Sequence, residues 1–111
     1  MSLTLDKPWR SRREPPGDLD ALPGHMGVFE LGDAAGGVLF VGYAGGRSRF
    51  GLRGEIAAAL ERLPAATAFR YEVTTSYLTR YQELLMVHRA ATGELPPDNA
   101  PMPGLGRLSP G

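Results

Sequence analysis

Gly27-Val28-Phe29-Glu30-Leu31, then Gly32-Asp33-Ala34-Ala35-Gly36-Gly37, then Val38-Leu39-Phe40-Val41-Gly42 is the stretch on which the fold turns. Two β-prone runs joined by six turn-type residues predict an antiparallel hairpin. The first run alternates in part between apolar and polar positions. The second is apolar throughout, which predicts a central strand covered on both faces.

Downstream, Tyr43-Ala44-Gly45-Gly46-Arg47-Ser48-Arg49-Phe50-Gly51 reads as a glycine-rich, basic loop. A helix is expected from near Leu52 to Pro64, with Leu52, Ile56, Ala59, Leu60 and Leu63 as its buried stripe. Ala68-Phe69-Arg70-Tyr71-Glu72-Val73-Thr74 alternates and predicts a third strand. Ser76 is placed to cap a second helix from Tyr77 to about Ala91, and Gly93 to stop it. The expected stripe of that helix is Leu78, Tyr81, Leu84, Leu85 and His88. The order β-β-α-β-α implies an α+β fold with a small three-stranded antiparallel sheet flanked by helices.

Outward from this body, residues 1–24 and 100–111 are rich in proline and glycine and lack periodicity. They are expected as an N-terminal arm and a C-terminal tail, either partly disordered or draped over a domain spanning residues 25–99. Arg10, Arg12 and Arg13 lie among Asp6, Glu14, Asp18 and Asp20, so the arm reads as a solvated segment that Trp9 could anchor. The chain has 111 residues, with 12 basic side chains balanced by 12 acidic ones and no cysteine. Disulfides, thiolate metal sites and thiol nucleophiles are therefore excluded. A global field drawing the chain to nucleic acid or anionic lipid is excluded too, so any such attraction must be local. No apolar run approaches the ~20 residues needed to span a bilayer, and Met1-Ser2-Leu3-Thr4-Leu5-Asp6-Lys7-Pro8 has no signal-peptide core. A cytoplasmic domain without membrane partners is expected.

Gly27-Val28-Phe29, ten residues, then Phe40-Val41-Gly42 resembles the paired strand signature of the GIY-YIG nuclease superfamily. A basic segment leading into a first helix, a third strand, and a second helix carrying Glu83 ahead of Met86-Val87 follow in the family's order. Pro96-Pro97-Asp98-Asn99 resembles its closing Pro-x-x-Asn element. The resemblance covers residues 25–99 and implies a divalent-metal-dependent endonuclease fold.

Phosphodiester hydrolysis needs an activated water, charge neutralisation on the phosphate and usually a divalent cation. The resemblance implies Phe29 and Phe40 at the two signature tyrosine positions, Arg53 or alternatively Arg49 as phosphate ligand, Glu83 as the Mg²⁺ or Mn²⁺ carboxylate, and Asn99 as a brace. The two phenylalanines depart from the pattern, since neither ring carries a hydroxyl able to relay a proton. Tyr43 or Tyr81 is the nearest substitute. Arg47, Arg49 and Arg53 form a stretch without acids, suited to binding DNA or RNA phosphates without sequence readout.

Two functions follow. One is an endonuclease-like hydrolase. The other is a catalytically silent module of the same fold that binds nucleic acid or a protein partner. A homodimer or a second protein is the expected source of affinity beyond the arginine loop. Plainer readings stand beside these: Phe29 and Phe40 as strand core, Glu83 paired on the helix surface with Arg80 or Arg89, and His88 as a hydrogen-bonded core residue. His25 has no second histidine at ligand spacing, and Gly45-Gly46-Arg47-Ser48 lacks the spacing of a nucleotide-binding P-loop.

Overall fold

The computed structural model describes Leu5, residues 7–11 and residues 24–99. The elements in chain order are β1 (Arg10–Ser11), β2 (Gly27–Gly32), β3 (Val38–Ala44), α1 (Gly51–Arg62), β4 (Ala68–Val73) and α2 (Tyr77–Thr92). The class is α+β, a small antiparallel sheet with two helices. Arg12 and Arg13, the rest of the arm and the tail 100–111 lie outside the described residues. None of the described helices is long and apolar enough to cross a membrane.

The hairpin forms because Asp33 holds the turn: its Oδ1 accepts the Ala35 N–H at 2.9 Å and the Gly37 N–H at 2.8 Å. Short polar side chains favour turns through such local bonds. The sheet order is β1-β4-β2-β3, with every pairing antiparallel. Phe29 lies opposite Gly42 on one side and Tyr71 on the other, while Val28 lies opposite Tyr43 and Glu72.

Alternation then splits the core in two. Phe29, Leu31 and Phe69 pack with Leu52, Ile56, Ala59 and Leu60 of α1. Val28 and Val41 pack on the other face with Tyr81, Leu84 and Leu85 of α2, joined by Leu5.

Four expectations change. β3 is an outer strand, with β4 and β2 the inner ones, although the uninterrupted apolar run pointed to β3. Both helices pack against β3, so its two faces are covered while one edge has no strand neighbour. Periodicity reports covered faces, not strand neighbours.

The sheet also has four strands among the described residues rather than three. The arm contributes β1, pairing Arg10 with Phe69 and Ser11 with Ala68. Leu5 is buried, and the Arg70 guanidinium sits 4.1 Å from the Trp9 ring centre. Ser76 occupies the N-cap of α2 without a side-chain cap bond. Its own N–H instead donates to Thr74 Oγ1 at 3.1 Å.

The C-terminal stop is as expected: Gly93 adopts the left-handed conformation and donates to the Arg89 carbonyl. Leu78 is 52% exposed, so the buried stripe of α2 narrows to Tyr81, Leu84 and Leu85.

Candidate functional site: a cleft at the edge of the sheet

A cleft of about 790 Å³ opens along the outer edge of β3. One wall belongs to the α1 side and holds Phe29, Phe40, Glu55 and Arg62; the other belongs to the α2 side and holds Tyr43, Tyr77 and Tyr81. The backbone of Gly42, Gly45 and Gly46, with Arg47 and Ser48, joins them.

Glycine at position 42 is required by close approach. A Cβ there would meet the Phe29 ring at 2.7 Å and the Phe40 ring at 2.9 Å. The two rings lie 6.0 Å apart, tilted by 48°. The glycine–aromatic part of the signature therefore has a packing cause: the Phe29 ring lies across its cross-strand partner Gly42.

On the opposite wall, Tyr43 stacks on Tyr77 at 5.7 Å and meets Tyr81 edge-on at 4.9 Å. The Tyr77 hydroxyl accepts the Gly46 N–H at 3.3 Å, tying the glycine loop to the ring cluster. The Ser48 hydroxyl accepts the Gly45 N–H at 3.0 Å and closes the turn that carries Arg47. Across the cleft, the Arg62 guanidinium lies 5.5 Å from the Phe40 ring centre, a cation–π placement.

Asn99 closes the β3 edge. Its Oδ1 accepts the Val41 N–H at 2.7 Å, and its Nδ2 donates to the Val41 carbonyl at 2.9 Å. The Asp98 N–H donates to the Leu39 carbonyl at 2.8 Å. A carboxamide can serve one backbone donor and one acceptor at once, so a side chain takes the place of a missing strand.

Asn99 also bonds the Tyr81 hydroxyl. Burial pushes the Tyr81 hydroxyl pKa up and the neighbouring Tyr43 adds to the rise, while the Asn99 bond opposes both. Tyr81 thus stays a neutral phenol at ordinary pH.

Phe29, Phe40, Tyr43 and Arg47 meet at this cleft, and Asn99 sits on the strand that forms its floor. Arg49 and Arg53 are exposed and do not line it. Nor does Glu83. Glu72 shares the sheet face of Val28, on the α2 side. Arg80 donates from Nε to Glu72 Oε2 at 3.1 Å and from Nη1 to Glu83 Oε1. The Glu83 carboxylate is therefore held on the face away from Phe29 and Phe40. Burial would lower the Arg80 pKa, yet the bonds and charges of Glu72 and Glu83 raise it overall.

This donor set does not fit a divalent cation. Glu83 is neutralised by a guanidinium, and among the described residues no three His, Asp or Glu side chains converge. Mg²⁺ needs oxygen donors around an open coordination sphere.

Glu55, Arg62 and Tyr77 were not singled out from the sequence. Glu55 and Arg62 stand seven apart on α1, a spacing that puts both on one helix face and could have marked them. Glu30 was also missed, though a charge inside the apolar run Gly27-Val28-Phe29-Glu30-Leu31 was its signal. It is 5% exposed and accepts from Arg70 Nε at 2.7 Å. Burial raises its pKa more than Arg70, His88 and Arg80 lower it.

A sequence profile described as a domain of unknown function, DUF7508, matches residues 2–91. No curated protein matches the chain.

Proposed function

The chain belongs to the DUF7508 family, a domain of unknown function, and we propose that it is a GIY-YIG-like module that binds nucleic acid at the β3-edge cleft without hydrolysing it. The observation carrying this reading is the cleft itself: aromatic rings on both walls, with Arg47 and Arg62 among the residues around them. Rings of this kind stack on bases, and guanidinium groups match phosphate oxygens. Two arginines in a chain of zero formal net charge give modest, salt-sensitive binding.

The silent reading gains from the position of Glu83. The chemistry that the GIY-YIG resemblance implies needs a metal carboxylate beside the aromatic pair, whereas Glu83 is engaged by Arg80 on the other face. One observation favours the hydrolytic alternative: Tyr43 brings to the cleft a phenol that Phe29 and Phe40 lack. Mg²⁺ or Mn²⁺ would then have to find donors that Glu83 alone does not provide.

Fluorescence anisotropy with labelled oligonucleotides tests binding. Expected is saturable binding at low salt, with a log–log salt slope of about −1.4 for two phosphate contacts on a single strand. Arg47→Ala should bring the slope to about −0.7. Absence of binding at low ionic strength sinks the reading. Incubation with single-stranded, duplex and branched DNA plus Mn²⁺ tests the second half. No cleavage is expected from the wild type or from the Phe29→Tyr/Phe40→Tyr double variant. Cleavage that disappears in Glu83→Ala would reinstate the hydrolase.

A further inference from the structure

Resting on the nucleic-acid reading above, we propose that the cleft takes an unpaired strand, DNA or RNA, with a base stacked against Tyr43 and its phosphate at Arg47. Tyr43 is 39% exposed although Tyr77 stacks on it and Tyr81 contacts it edge-on. A large aromatic ring held by two neighbours, yet open to a cleft, is a preformed stacking platform. Ordering it on binding costs little entropy.

The bond from the Gly46 N–H to the Tyr77 hydroxyl couples the loop bearing Arg47 to the same ring cluster. Ring and cation are thus kept in a set relation, as a base and its own phosphate are. Gly46, where an added Cβ would meet nothing within 4 Å, presents open backbone between the walls, where a flat base can approach closely.

Glu55 argues for the base side of a nucleotide in the interior of the cleft. A carboxylate repels phosphate but accepts hydrogen bonds from the exocyclic amines of bases. A duplex hides those base faces in its own stack and offers an outer surface of phosphates, which a cleft with a carboxylate on its wall disfavours. An unpaired strand can turn its bases inward and leave its phosphates at the rim.

The test compares labelled oligodeoxycytidine, oligocytidine, whose bases carry the N4 amine, and a duplex of equal length by anisotropy at one salt concentration. Expected is a preference of about tenfold or more for the unpaired strands, with the tighter of the two naming the source. Tyr43→Ala should weaken strand binding about fivefold or more, while Tyr43→Phe retains it. Tyr43→Leu, which keeps apolar bulk, should weaken it similarly and guards against misfolding of the alanine variant. Duplex binding equal to or tighter than strand binding overturns the proposal but leaves the nucleic-acid reading standing. Loss in Tyr43→Phe equal to that in Tyr43→Leu overturns the stacking role. No binding of any oligonucleotide overturns both.

Discussion

On the α1 side of the sheet, Phe29, Leu31 and Phe69 meet Leu52, Ile56 and Leu60 with no charged group among the buried residues of that cluster. On the α2 side, Val28, Val41, Leu84 and Leu85 share their face with Glu30–Arg70 and Glu72–Arg80–Glu83. The difference explains why Glu83, the carboxylate that the GIY-YIG resemblance puts forward as a metal ligand, is engaged by a guanidinium here. A glutamate on α2 enters a face already dense in guanidinium groups and pairs with them. The cleft forms where the two faces end at the β3 edge, and it draws rings from both.

Three substitutions would break or sharpen that contrast. Phe69→Ala, on the apolar side, removes a fully buried ring and should lower the unfolding free energy by about 3–5 kcal/mol. Urea denaturation measures it, and a loss below that of either charged-side variant would upset the division.

Arg70→Ala leaves Glu30 buried without its partner and should cost about 3 kcal/mol at neutral pH, the low end for breaking a buried pair. The loss should shrink on acidification. Glu30 has a folded-state pKa raised above its ordinary value, so its protonated form is stable below the ordinary glutamate range. Stability from Glu30 declines as pH rises through the raised value. A neutral carboxyl no longer needs the guanidinium, so wild type and variant should converge in acid. A gap independent of pH would show that Arg70 acts through its packing on Trp9 instead.

Glu83→Ala should change stability least, by about 1 kcal/mol or less, because its side chain is 35% exposed and Arg80 keeps Glu72. Thermal melts and strand-binding anisotropy should both stay near wild type. A large loss of binding would bring Glu83 back to the site.

Much of this was readable in the residues. The hairpin, both helices and the Gly93 stop followed from turn chemistry and apolar spacing, which are local signals. The pairing of Glu83 with Arg80, three residues earlier, was equally local and had been open as the plainer reading of that glutamate. What escaped depended on contacts between distant segments. Trp9 stood out as an anchor for the arm, but nothing in Leu5 or Arg10-Ser11 announces that the arm will add a strand to β4. Glu72 reaches Arg80 from another element, and Leu78 leaves the apolar stripe because it lines the open cleft. The edge position of β3 was hidden because helices on both sides gave it the hydropathy of a strand with two strand neighbours.

The Pro96–Asn99 clasp has a consequence for how the molecule behaves in company. Val38-Leu39-Phe40-Val41 is a run of four apolar, β-prone residues on an outer strand, the kind of template that recruits identical strands into stacked ribbons. By occupying the amide and carbonyl of Val41 and the carbonyl of Leu39, the clasp removes the bonds through which another chain would add itself. The segment that shapes the floor of the cleft is thereby also a guard against self-assembly.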